Sequence, residues 1–223
     1  MVTDNLDNAV VTIGKEELAV LPAASYSGRI TVIDSVEKIK AAVKVLRQAK
    51  LIGFDTETKP SFKKGKVNSV ALIQLATTDE AFLFRTNIIG FPEEVIGLLE
   101  DKKLLKIGLS LRDDFHNLQK LGEFNPQGFV DLQAYVKEFR IADAALSRLY
   151  GILFDKRICK NQRLSNWEAS ELTESQQLYA ALDAAACLDI YQFLHQGNFK
   201  PEESKYLIVP EPANTDIQAD TKV

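Results

Sequence analysis

Soft and imidazole ligands are scarce in this 223-residue chain, which has two cysteines, Cys159 and Cys187, and two histidines, His116 and His195. So few cysteines exclude a disulfide framework and a cysteine-rich zinc centre, and so few histidines leave little for a His-based metal site. Basic charge is also short: 27 Lys and Arg stand against 31 Asp and Glu, a net charge of −4 with a pI near 5.4. A protein that coats a polyanion through bulk electrostatics needs a basic surface. Any contact with nucleic acid must therefore be local or metal-mediated. No stretch approaches the ~18 uncharged apolar residues of a membrane span. The first residues, Met-Val-Thr-Asp-Asn-Leu-Asp, are acidic where a secretory signal would be basic. A reduced, cytoplasmic protein with no membrane partner is the expectation. The first strand is not followed by a glycine-rich turn, so no dinucleotide or other organic cofactor is expected.

What is present is ordinary globular material, 46% hydrophobic and 26% charged, enough for a sizeable core. The length fits one full domain with extensions. Residues 1–27 read as an N-terminal extension lying on the domain, ending in the linker-like run Pro22 to Gly28. Residues 28–198 form the domain proper, and 199–223 a C-terminal extension expected to be disordered after about 209. Tyr206–Val209 is compatible with a short strand or with surface packing. Inside the domain, Ile30–Ile33 is a β-type run followed by a helix, capped at Asp34 or Ser35 and running to about Ala49. Leu51–Phe54, Val67–Ala76 and Ala81–Phe84 read as three strands with no helix between them, hence an antiparallel meander. Helix and strand then alternate: helices at 92–99 and 111–121, strands at 104–107 and 129–132, and helices at about 133–139, 142–150 and 173–196. The predicted class is α/β, a ribonuclease-H-like mixed sheet in which a meander and parallel strands are flanked by helices.

The chemistry-bearing residues are carboxylates. Asp55 and Glu57 stand two apart at the end of a strand, so both project from one face. Like charges so close repel unless a cation or proton lies between them, and oxygen-only ligands suit Mg²⁺ or Mn²⁺ better than zinc. A solvated strand end is the alternative. Asp114 shares a helical face with Leu111, Leu118 and Leu121, whereas Asp113 shares the polar face of His116 and Lys120. Asp114 is thus aimed at the interior, for metal support or for helix N-terminal stabilisation, and Asp113 is solvated. Tyr179 and Asp183 sit at i and i+4 on a face that continues through Ala186, Cys187 and Ile190. A tyrosine capping a buried aspartate is the structural reading of that pair.

Taken together, the order Asp-x-Glu, Asp, Asp, with a Tyr one turn before the last, resembles the DEDD 3′–5′ exonucleases. The subtype it resembles is the tyrosine-containing one, which includes ribonuclease D and the Werner-type exonuclease domain. The segments carrying the resemblance are Phe54-Asp55-Thr56-Glu57-Thr58, Val70 to Leu75, Ile107-Gly108-Leu109 running on to Asp114, Leu164-Ser165-Asn166-Trp167, and Leu172-Thr173 leading to Tyr179–Ala184. They span about residues 30–196. The resemblance implies hydrolysis of nucleic-acid phosphodiesters from a single-stranded 3′ end, of DNA or RNA, with two divalent ions, Mg²⁺ or Mn²⁺. Asp55, Glu57, Asp114 and Asp183 would be the ligands, and Tyr179 would orient the attacking water. Because the cations supply positive charge, an acidic protein can still act on a polyanion.

Lys63, Lys64 and Lys66, in the loop after the first carboxylates, and Lys160, Arg163 and His116 are candidate substrate contacts, each of which also reads as an ordinary surface residue. Phe62 reads as a loop anchor, Trp167 as packed on the last helix, Asp131 as the cap of the helix after it, and Gln74 as structural. Ribonuclease D proper continues into helical nucleic-acid-binding domains, which leaves processive binding outside the resemblance. Two other readings compete. A haloacid-dehalogenase-like phosphatase would place Asp-x-Asp after its first strand and use a helix-linked parallel sheet, against Glu57 and the meander here. A catalytically inactive nuclease fold serving as a nucleic-acid-binding scaffold would not need all four carboxylates and Tyr179.

Overall fold

The structure, a computed structural model, describes residues 8–61 and 68–210. Its elements in chain order begin with strand β1 (Val10–Val11), helix α1 (Lys15–Val20), β2 (Arg29–Ile33) and α2 (Val36–Leu46). The next are β3 (Leu51–Thr58), β4 (Val70–Ala76), β5 (Glu80–Phe84), α3 (Thr86–Ile89) and α4 (Glu93–Leu99). They continue with β6 (Leu105–Gly108), α5 (Leu111–Leu118), β7 (Phe129–Asp131), α6 (Leu132–Tyr135), α7 (Leu146–Phe154), α8 (Glu174–His195) and β8 (Leu207–Ile208). Among the described residues one six-stranded sheet has the order β2-β5-β4-β3-β6-β7. β3, β4 and β5 pair antiparallel, as three helix-free strands predict. β6 and β7 join β3 in parallel on one side, and β2 joins β5 in parallel on the other. The ribonuclease-H-like mixed sheet is therefore present.

Every residue of β4 and β5 is buried, because helices cover both faces. On one face Ile39, Val43 and Leu46 of α2 and Val95 and Leu98 of α4 pack on Ile52, Phe54, Ile73 and Leu75. On the other, α8 lays Ala180 on Leu72 and Leu83, and Ala181 and Ala184 near Ala76 and Ala81. Small side chains let this helix sit almost on the strand backbone. At Gly53 an added Cβ would fall 1.8 Å from the Ala184 carbonyl oxygen. A capping box formed by Thr173 and Gln176 starts α8.

Several boundaries differ from the sequence expectation for tertiary reasons. β3 runs on to Thr58, since Asp55, Thr56 and Glu57 pair with Gln74, Ile73 and Leu72. The helix expected at 142–150 lies at Leu146–Phe154. Residues just before it are held extended by the N-terminal segment: Ala142 N–H donates to the Val11 carbonyl, and the Asp143 carboxylate accepts from the Thr12 hydroxyl and the Ile13 N–H. Helix α5 stops at Leu118, and the strand expected to reach 132 stops at Asp131, whose carboxylate caps the next helix at Gln133 N–H. The same carboxylate accepts from Ser110 and Leu111 N–H at the start of α5. Residues 8–21 lack sequence periodicity yet contain a strand and a helix. β1 pairs antiparallel with β8, which assigns Tyr206–Val209 to the strand alternative, and Val11, Ile13 and Tyr206 join one buried cluster.

Candidate metal and catalytic site

Three elements converge on the C-terminal half of β3. β6 pairs with β3 only at Leu51–Gly53, so the rest of the strand continues past it. Strand alternation turns Asp55 and Glu57 to the face that α8 covers, and α8 brings Asp183 over them. One carboxylate oxygen from each of Asp55, Glu57 and Asp183 lies within 4.8 Å of the other two. Asp114, on α5, accepts a hydrogen bond from the Thr56 hydroxyl. It is not one of the three grouped carboxylates, but it stands close enough to raise the pKa of Asp55 and Glu57. Asp113 is exposed, as the helical-face argument requires.

The electrostatics of this group are those of like charges brought together in a buried setting. Burial raises the pKa of Asp55 well above the carboxylate range, and Asp183, Asp114 and Glu57 add to the rise. Glu57 is pushed up to about 8 by burial and then by Asp183 and Asp114, with Arg163 opposing. Asp183 is raised by burial against the pull of the Tyr179 hydroxyl and Lys160. Burial lifts Asp114 to about 6, and its bond from Thr56 restrains the shift. The Tyr179 phenol is driven up by burial and by Asp183, Glu57 and Asp55, so it keeps its proton and serves as a donor. Gln74 bears on whether a divalent cation fits. It lies directly across from Asp55, is fully buried, and neither amide atom finds a hydrogen-bond partner among the described residues. A spare buried amide beside a carboxylate is the kind of support that orients a metal ligand. With an all-oxygen donor set, the residues fit Mg²⁺ or Mn²⁺.

A cavity of about 230 Å³ opens over the cluster, lined by Asp55, Leu109, Lys160, Arg163, Tyr179 and Asp183 among others. Trp167 is fully buried behind Tyr179, with ring centroids 6.2 Å apart, so it packs on α8 as expected. Arg85, itself buried, holds the loop of Trp167 by donating to the Ala169 and Ser170 carbonyls. The structure thus unites Asp55, Glu57, Asp183, Tyr179, Lys160 and Arg163, with Asp114 alongside. His116 is exposed on α5 and is not part of this cavity's lining. Phe62, Lys63, Lys64 and Lys66 lie outside the described residues. Sequence reasoning missed Thr56, Leu109 and Arg85. Thr56 sits between two carboxylates that drew the attention, and only the fold shows which side of the strand Asp114 reaches.

Comparison with known proteins identifies the family and the fold. The family model for 3′–5′ exonucleases matches residues 30–197. The chain is 36% identical over 155 residues to the mouse bifunctional 3′–5′ exonuclease/ATP-dependent helicase WRN, covering 67% of this chain and 11% of that protein. It is 27% identical over 190 residues to ribonuclease D of Gluconacetobacter diazotrophicus, covering 81% of this chain and 47% of that protein. It therefore spans less than half the length of either relative. Among solved structures, the Nibbler EXO domain of Aedes aegypti superposes with a TM-score of 0.69 at 25% identity, covering 81% of this chain and 97% of that one. Escherichia coli RNase D shares the fold with a TM-score of 0.67 at 21% identity, over 75% of this chain and 44% of that one. With a family match running from β2 past the end of α8 and Asp55, Glu57 and Asp183 drawn together, the chain belongs to the 3′–5′ exonuclease family.

Proposed function

We propose that this protein is a metal-dependent exonuclease that removes nucleotides from the single-stranded 3′ end of DNA or RNA. The observation that carries the proposal is the convergence of Asp55, Glu57 and Asp183 within 4.8 Å at a cavity that Tyr179 also lines. Asp55, Glu57 and Asp183, with Asp114 in support, would hold two divalent ions, Mg²⁺ or Mn²⁺. Bound there, the ions supply charge neutralisation, activation of water, and stabilisation of the attacking and leaving oxygens. The chain's own residues do the rest. Tyr179, protonated, orients the attacking water at the scissile phosphorus. Lys160 and Arg163 meet the phosphate, and Leu109 supplies an apolar wall. Water adds to phosphorus, the P–O3′ bond breaks and the 3′ oxygen takes up a proton. The products are a nucleoside 5′-monophosphate and a strand shorter by one residue.

The test uses 5′-labelled single-stranded DNA and RNA oligomers with Mg²⁺, Mn²⁺ or EDTA, and Asp55→Ala as the contamination control. A metal-dependent ladder shortening from the 3′ end, absent in the variant, is expected. A folded protein that gives no ladder with either metal overturns the proposal in favour of a binding scaffold.

A further inference from the structure

A second cavity, of about 290 Å³, adjoins the catalytic one, and the two share Ala145, Ser147, Ile158 and Lys160 in their linings. The contrast between them is chemical. The catalytic cavity carries Asp55 and Asp183, whereas the second is lined by Lys15, Arg148, Arg157 and Lys160 and by no carboxylate. In a chain of net charge −4 this is a local inversion of sign.

The two guanidinium groups are held in place. Arg148 donates through Nη1 to the Ile13 carbonyl at 2.6 Å and to Asp143 at 3.0 Å, and Arg157 donates through Nε to the Leu21 carbonyl at 3.0 Å. Each keeps Nη2 without a partner among the described residues. Asp143 accepts from Thr12, Ile13 and the Nη1 of Arg148; it offsets part of the charge of that arginine and is not itself in the lining. Lys15 and Lys160 form no ion pair among the described residues. Anchored guanidiniums with spare donors, joined by two lysines, are suited to phosphate. The outer wall, formed by Lys15, Leu18 and Ala19, comes from α1, which precedes the family-matched residues 30–197.

We infer that this second cavity is a phosphate-binding extension of the cleft, which holds the nucleic-acid backbone on the 5′ side of the scissile bond. The inference rests on the exonuclease reading. An enzyme that removes the terminal residue has no further phosphate on the 3′ side of the bond it cuts. Cations beyond the cleft can meet only phosphates on the 5′ side. Such contacts position the strand without reading its bases.

The experiment compares wild type with Lys15→Glu, and uses Lys44→Glu as a control of equal charge change on the exposed side of α2, across the sheet. Two readouts apply: KM for oligomers from dinucleotide to dodecamer, and fluorescence anisotropy of a labelled dodecamer in EDTA at several salt concentrations. In Lys15→Glu the loss should grow with length, to roughly five-fold in dodecamer affinity, with the slope of log K against log salt reduced by about one. Lys15→Arg should restore both. An equal loss on every length, or a loss matched by Lys44→Glu, overturns the inference, as does no loss at all. A wild-type protein that hydrolyses nothing overturns the exonuclease reading; the Lys15→Glu loss in dodecamer binding then still tests the cavity as a phosphate groove, and its absence overturns that too.

Discussion

Gly53→Ala tests the seating of α8 on β3 and, through it, the construction of the site. The added Cβ would lie 1.8 Å from the Ala184 carbonyl oxygen and 2.7 Å from its carbon, where Cβ contacts essentially never fall below 3.0 Å. Helix and strand must separate by at least the difference between 3.0 and 1.8 Å, about 1.2 Å. The obstacle is backbone, so no side-chain rotation relieves it. Overpacking of a core ordinarily costs about 1–3 kcal/mol, and this substitution belongs at or above the upper end. Ala184 is the neighbour of Asp183, so the same movement withdraws Asp183 from Asp55 and Glu57. Metal–oxygen bonds tolerate only about 0.2 Å of misplacement, so Mn²⁺ affinity should fall at least about tenfold. Urea unfolding with and without Mn²⁺, together with calorimetric Mn²⁺ titration, reads both effects. Stability within ~0.5 kcal/mol of wild type would refute the close approach of α8. Lost stability with unchanged Mn²⁺ affinity would refute the link from that approach to the carboxylates.

Metal-free protein should lose stability as pH rises. Glu57 goes from an ordinary 4.5 to about 8, so between those values the folded state holds a proton that the unfolded chain has released, and the resulting stabilisation disappears as pH climbs through the folded value. Thermal unfolding in EDTA should show Tm falling across this window, and Glu57→Gln should flatten the fall; an unchanged slope in the variant would remove Glu57 as its source. Gln74→Met replaces the orphan amide with an apolar side chain of similar length. It should leave metal-free stability equal or higher while lowering Mn²⁺ affinity about 10–100-fold, and unchanged affinity would dismiss the amide as a support for Asp55. In a 3′-end ladder assay Asp114→Ala should lose most activity and Asp113→Ala should keep most of it, since Asp114 is held at β3 by Thr56, beside Asp55 and Glu57, whereas Asp113 is exposed. The reverse pattern would show the helical-face assignment to be wrong.

Some of this molecule was legible in one dimension because the relevant interactions are local or periodic. The two-residue period of a strand put Asp55 and Glu57 on one face, and the 3.6-residue period of a helix separated Asp114 from Asp113 and aligned Tyr179 with Asp183. The absence of a helix between Leu51 and Phe84 implied the meander, and the order of the carboxylates carried the family resemblance. Other features depend on contacts between residues far apart in the chain. The helix at 142–150 was displaced to Leu146–Phe154 because Asp143 and Ala142 are occupied by Val11, Thr12 and Ile13, more than 120 positions away. The short N-terminal elements have no period of their own and are held by β8 and a buried cluster. Most of all, sequence spacing could name the carboxylates but could not say how closely they meet. That distance is set where a glycine in β3 and an alanine in α8 let two backbones touch, a packing relation fixed only when the chain has folded.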